Sequence, residues 1–328
     1  MRYFLVPVVV SVLALAVVYA LGGLSALLIA ALLTILEVTL SFDNAVVNAR
    51  VLMQMSEKWR QRFLTWGMLI AVFGTRFVLP ILIVSASVWM SPWLITNLAI
   101  FNPEEYGHLL EGARYAINSF GAVFLLMVSL KYFFNEGKEI HWIHDIERHL
   151  VKWGKIEAIE IGIALLSLFG LSFFVPHEEQ AAVLGAGIIG VALFIFMEGL
   201  AGTFARQVKQ AEAAGLALFL YLNVLDSAFS LDSVVGAFAL TTAIPVIVAG
   251  LGIGAYFVRV LTIYFVEKKT LDTLLYLEHG AHWAIFGLAA SMFASLVWHV
   301  PEVITGGIGL AFVLAAYYSS LRHNGKNG

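Results

Sequence analysis

The chain has 328 residues, 61% of them hydrophobic and only 12% charged, with a formal net charge of −3 and no cysteine. Soluble domains carry about 45–50% apolar and about 25% charged residues, so this is not the composition of a soluble domain. The slight negative balance gives no case for nucleic acid, and disulfides, thiolate metal sites and thiol nucleophiles are excluded.

Apolar runs of about 18 residues or more recur along the chain, without the alternating ~10-residue segments of a membrane β-barrel. The expectation is an all-α, polytopic membrane protein, one transmembrane domain over 1–328, whose surroundings are the lipid bilayer. Ten spans are expected, near 3–21, 24–49, 63–90, 110–134, 156–175, 180–203, 213–240, 244–266, 276–298 and 301–320. The first run follows Met1-Arg2 and imitates a secretory signal, but Val18-Tyr19-Ala20 is a poor cleavage site, so it is expected to stay as a helix.

Every second loop is basic. Arg50, Lys58, Arg60 and Arg62 follow span two, and Lys138, Arg148, Lys152 and Lys155 follow span four. Arg206 and Lys209 follow span six, Lys268 and Lys269 span eight, Arg322 and Lys326 span ten. The intervening loops carry Glu104 and Glu105, Glu178 and Glu179, or Glu302. Positive residues stay on the cytoplasmic side, so both termini are expected there, in a bacterial inner membrane.

The second span holds Glu37-Val38-Thr39-Leu40-Ser41-Phe42-Asp43-Asn44, two carboxylates and a carboxamide in an apolar helix. The seventh holds Asp226-Ser227-Ala228-Phe229-Ser230-Leu231-Asp232-Ser233. The offset is 189 throughout (226 from 37, 230 from 41, 232 from 43). Five crossings separate the copies, so they run in opposite directions. Gly67 and Arg76 match Gly250 and Arg259, and Gly112–Ile117 matches Gly280–Ile285. The pattern predicts two inverted-topology five-helix repeats, 1–175 (including a cytoplasmic loop, 135–155) and 176–328, as in secondary transporters.

A carboxylate at a helix centre costs roughly 2.5–3.5 kcal/mol on the lenient insertion scale. Glu37, Asp43, Asp226 and Asp232 therefore need cations, shared protons or basic partners. Arg76 and Arg259 either pair with them or snorkel toward the cytoplasmic face. Glu37, Ser41 and Asn44 share one helix face, as do Asp226, Ser230 and Ser233. Asp43 and Asp232 fall about 240° further round and join that face only if the helices unwind near Ser41-Phe42 and Ser230-Leu231. The oxygen-rich set Glu37, Ser41, Asp43, Asn44, Asp226, Ser230, Asp232 and Ser233 suits Mg²⁺, Ca²⁺ or Mn²⁺ better than Zn²⁺ or Cu⁺.

Glu37 to Asn44, with its Leu-Ser-Phe-Asp-Asn core, and Ser230-Leu231-Asp232-Ser233 resemble the paired acidic motifs of the TerC family, named for tellurite resistance, in the LysE transporter superfamily. The resemblance covers spans two to four and seven to nine. It implies an exporter of divalent cations, Mn²⁺ first and Ca²⁺ second, with these acids as ion ligands, no cofactor and no enzymatic role. This chain departs from the pattern in having Asp226 and Ser233 where its first copy has Glu37 and Asn44, more spans, and a longer charged middle loop. The rival readings are an exporter of another small solute such as an amino acid or oxyanion, an intramembrane hydrolase using paired acids, and a membrane anchor for other proteins.

Three further features stand out. Glu111 and Arg114, at i and i+3, open span four as a helix pair or a path lining. Glu278, His279 and His282 open span nine in matched places. In the middle loop His141, Asp145 and His149 recur every four residues, either as a regulatory metal site or as one side of an interfacial amphipathic helix.

Overall fold

The computed structural model describes residues 2–206, 211–298 and 300–327, and every regular element among them is a helix. The first, α1 (Arg2–Leu40), would be about 59 Å long if straight, twice the ~30 Å hydrocarbon core. It is not straight. Gly23 takes φ 70°, ψ −163°, a conformation essentially closed to side chains with a Cβ, and the helix folds back there. The two halves meet α12 (Ile244–Glu267) in opposite order. Phe4 lies against Tyr264 and Val18 packs with Val246, whereas past the glycine Ala30 meets Gly250 and Glu37 meets Gly254. Gly250 and Gly254, four apart, let the second half approach closely, and Thr34 Oγ1 donates to the Gly250 carbonyl at 3.0 Å.

The chain kinks again at Ser41 and continues as α2 (Phe42–Leu52) and α3 (Glu57–Leu69). A π-helical segment, Ile70–Val78, leads into α4 (Leu79–Val88). α5 (Pro92–Phe101) and α6 (Pro103–Gly112) follow, with Trp89, Trp93 and Phe101 strongly exposed, as befits a membrane-interface aromatic belt. α7 (Arg114–Phe133) is apolar all round and its residues 121–130 are all buried, so it forms the central post of the main core. The middle-loop helix α8 (His144–Trp153), α9 (Ile159–Ser172), α10 (Gln180–Arg206), α11 (Ala211–Leu240), α13 (Thr270–Thr273), α14 (Leu277–Ala294) and α15 (Glu302–Asn327) complete the described elements. Around α7 pack α9, α10, α11 and α14, while α1, α2, the π segment, α11 and α12 enclose the acidic motifs.

Among the described residues, seven helices are long and apolar enough to cross a membrane: Phe4–Leu40, Glu57–Val88, Arg114–Phe133, Gln180–Leu200, Gly215–Phe238, Ile244–Glu267 and Ile304–Asn324. The expected ten spans differ from this in identifiable places. Spans one and two are the two arms of folded α1, continued by α2. Span four begins only at Arg114, because the chain breaks between α6 and α7. Span five holds a 14-residue helix, about 21 Å long, and span nine the 18-residue α14.

Candidate functional site

Glu37 and Asp226 occupy corresponding places in the two motifs, and each lies beside the arginine matched to its own copy. The Arg76 guanidinium donates to Glu37 Oε1, with both side chains buried. Arg259 Nη2 stands 3.8 Å from Asp226 Oδ2. The open choice between pairing and snorkelling therefore resolves to pairing, and the cost of two buried carboxylates is offset by charge.

The local backbone arranges this. In the π segment the carbonyls of Ile70 and Ala71 take side-chain donors, Thr75 Oγ1 at 3.3 Å and Arg76 Nη1. Thr75 also contacts Ser227 Oγ of α11 at 3.2 Å. Such π turns cluster at functional positions; here one directs Arg76 inward. Arg259 is held differently. Its Nη2 donates to the Gly67 carbonyl at 3.0 Å, and its guanidinium lies 3.8 Å over the ring of buried Phe63.

The motif residues divide. Ser41 Oγ donates to Glu37 Oε1 at 3.0 Å, as their shared helix face predicts. Asn44 Nδ2 reaches the other copy, donating to Asp226 Oδ1 at 2.7 Å. Ser230 and Ser233 instead donate to their own helix, to the carbonyls of Asp226 (2.8 Å) and Ser230 (2.9 Å). Asp43 is buried in the first turn of α2, its carboxylate facing its own N–H and that of Asn44. The side chain of Asp232 lies outside the described residues.

The expected unwinding is only half present, and mild. Ser41 leaves helical geometry (φ −104°, ψ 14°), yet Ser41 N–H still bonds the Glu37 carbonyl and Ala45 N–H the Ser41 carbonyl. In the second copy α11 runs unbroken through Ser230–Ser233, a correction to the symmetrical expectation. Among the described residues no three His, Asp or Glu side chains stand close enough to hold a metal ion. Glu37, Asp226 and Asp43 are distributed among arginines and backbone donors instead of converging on one point.

Between the pairs lies a cavity of about 10 Å³, its polar lining Glu37, Ser41, Asn48, Arg76, Asp226, Arg259 and Thr262. That is about the space of one water-sized sphere. Glu37 Oε2, Asn44 Oδ1, Asn48 Oδ1 and Asp226 Oδ2 are buried acceptors without a hydrogen-bond partner, and Arg76 Nε and Arg259 Nη1 are donors without one. Buried polar atoms left unpaired are costly and rare, and all of these but Asn44 Oδ1 belong to residues lining the cavity. Asn48 is absent from the residues singled out by sequence, although its i+4 spacing from Asn44 carried the signal.

Other expectations shift as well. Glu111 does not pair with Arg114: the helix breaks between them, and Arg114 lies over the Tyr115 ring at 4.9 Å. Glu160 shares Lys131 (3.5 Å) with Glu198 (3.0 Å). His141, Asp145 and His149 do not converge, because α8 begins only at His144 and leaves Asp145 and His149 exposed. Glu147 is the organising residue there. Fully buried, it accepts from His279 Nδ1 (2.8 Å), Lys138 Nζ (3.0 Å), Trp283 Nε1 (3.0 Å) and the N–H of Trp142 (3.2 Å). Burial alone would raise its pKa, but His279, Lys138 and Trp283 hold the carboxyl well below its ordinary value.

An all-helical chain with several membrane-length apolar helices and an ionic site in its core defines the class: a membrane protein with buried charge pairs. The chain belongs to the family described as "Protein of unknown function (DUF475)", which matches residues 42–327 and so includes Asp43, Asn44 and the whole second copy but not Glu37. No curated protein and no solved structure matches the chain.

Proposed function

We propose that the protein is a membrane transporter exporting a divalent cation, Mn²⁺ first and Ca²⁺ second, as the resemblance to the TerC family implies. The observation that carries this reading is the water-sized cavity between the matched Glu37–Arg76 and Asp226–Arg259 pairs, lined by residues with three partnerless oxygens, Glu37 Oε2, Asn48 Oδ1 and Asp226 Oδ2. Oxygen donors in a small, buried space suit a hard cation stripped of most of its water. The guanidiniums neutralise the acids until the cation replaces them. Arg259 already has alternative partners in the Gly67 carbonyl and the Phe63 ring. Asp43 and Asp232 supply the remaining charge of the motifs.

In this reading the chain crosses the bacterial inner membrane ten times, in two inverted halves, 1–175 and 176–328, with both termini cytoplasmic. The meeting of Arg50 with Glu278, and of Lys131 with Glu160 and Glu198, supports placing those helix ends on one side. Arg206, Lys209, Glu302 and Lys326, which enter the same loop-charge argument, have side chains outside the described residues. Export of a divalent ion against ~100 mV costs about 4.6 kcal/mol, so a coupled gradient, inward protons, drives it.

Flux in proteoliposomes across Mn²⁺, Ca²⁺, Mg²⁺ and Zn²⁺ tests the reading. Mn²⁺ flux that is lost in Asp226→Asn and Asn48→Leu is the expected result. Absence of flux for all four ions with folded protein overturns it. The two guanidiniums favour one second reading, an exporter of a small zwitterion such as an amino acid, whose carboxylate and ammonium would meet Arg and acid respectively. Labelled amino acids in the same vesicles decide between the two.

A further inference from the structure

A second, larger cavity of about 650 Å³ opens where α2, α7, α9, α10, α11 and α14 end. It sits one helical turn from the buried pairs along two separate helices. On α2, Asn48 lines the small cavity and Val51 the large one; on α11, Asp226 lines the small cavity and Tyr221 the large one. It also lies at the end of the molecule carrying Arg50 and Lys131, which the loop charges place toward the cytoplasm.

Its walls are acidic. Glu136, Glu157, Glu160, Glu198 and Glu278 face it against the two cations Arg50 and Lys131. Both cations are tethered to acids: Lys131 bridges Glu160 and Glu198 from three different helices, and Arg50 lies 3.3 Å from Glu278. An independent observation points to a ligand. His282 lines the cavity while only 7% exposed, its ring stacked on Tyr132 at 3.6 Å. Its Nδ1 lies 2.8 Å from the Glu278 carbonyl, an acceptor, so Nδ1 carries the proton and Nε2 keeps a lone pair. Among the described residues nothing hydrogen-bonds that Nε2.

We propose that this cavity is a loading site for a hydrated divalent cation, faced by His282 Nε2 and the carboxylates of Glu278, Glu160 and Glu198. It rests on the transporter reading. The ion is held through its water, because no three His, Asp or Glu among the described residues gather closely enough for direct coordination. Acidic walls of this kind concentrate counter-ions, and the tethered Lys131 and Arg50 keep the hold loose enough for onward passage. His282 Nε2, a neutral acceptor, takes a hydrogen bond from the ion's water.

The test uses the full chain and Mn²⁺ itself. Flux in proteoliposomes should show an apparent KM for Mn²⁺ raised about 10-fold in Glu160→Gln/Glu198→Gln, with most of the effect in KM, and a smaller rise in His282→Ala. Binding is read separately, by Mn²⁺ titration of detergent-purified Glu37→Gln/Asp226→Asn, in which the buried pairs are gone. Residual weak Mn²⁺ binding, lost when Glu160→Gln/Glu198→Gln is added, supports the loading site even if no flux is seen and the transporter reading falls. Unchanged KM in both vestibule variants, residual binding indifferent to them, or a cavity that binds phosphate in place of Mn²⁺ overturns it. Glu160→Asp/Glu198→Asp, which keeps both charges, should restore the KM if Glu160→Gln/Glu198→Gln acts through charge and not through folding.

Discussion

Asn44 on α2 donates its Nδ2 to Asp226 Oδ1 on α11 at 2.7 Å, tying the first acidic motif to the second across the core. Both side chains are buried, so the bond has no water to replace it. Asn44→Ala should cost about 1–3 kcal/mol, the penalty of leaving a buried acceptor unserved. Asn44→Asp should cost more, since it sets a second carboxylate against Asp226. Thermal unfolding of the detergent-solubilised protein measures both, and equal midpoints for the three proteins would contradict the role given to Asn44.

Arg76 and Glu37 act as a unit. Removing one partner leaves a lone charge in a buried setting, which typically costs about 3–5 kcal/mol. Arg76→Gln and Glu37→Gln should each destabilise strongly, and Arg76→Gln/Glu37→Gln should lose less than the two single changes together. A double-mutant cycle reads this directly. Additive losses would mean the two side chains are independent.

Gly254 makes room for Glu37. A Cβ at that position would come within 2.5 Å of Glu37 Cβ and 3.1 Å of the Thr34 carbonyl oxygen. Gly254→Ala should therefore push α1 and α12 apart at the site, costing about 1–3 kcal/mol as other overpacked positions do. It should impair any activity of the Glu37–Arg76 pair more than Gly307→Ala, where a Cβ meets nothing within 4 Å.

Glu147 pins the middle loop to the start of α14. Its folded pKa lies below the ordinary 4.5, so its stabilising effect is complete above that value and fades only as pH falls below it. Hydrogen exchange over residues 138–155, corrected for intrinsic rates, should show protection that is level from pH 8 to pH 5 and declines under more acidic conditions. Glu147→Gln should lose about 3 kcal/mol of that protection at neutral pH. Level protection in the variant would show that the loop is held by other contacts.

Hydropathy sufficed to foresee the helical membrane class. Span limits were less legible. An apolar run does not disclose where a helix folds back, as at Gly23, or is too short to cross alone, as in α9. Asn48 and Glu147 escaped notice because a single polar residue in a patterned stretch has no mark distinguishing a buried side chain from a solvated one. Their importance comes from neighbours more than a hundred positions away, such as Thr262 beside the cavity and His279 on Glu147.

From sequence alone came the two acidic motifs, their constant offset and the arginines that accompany them, because a carboxylate in an apolar helix is conspicuous and its energetic cost demands a partner. Only the tertiary structure decided which partner each acid takes. Glu37 and Asp226 meet arginines instead of each other, Asp43 faces backbone N–H groups, and a single kink at Ser41 has no counterpart in α11. Spacing along a helix specifies the direction of a side chain, but what waits there depends on how separate helices pack.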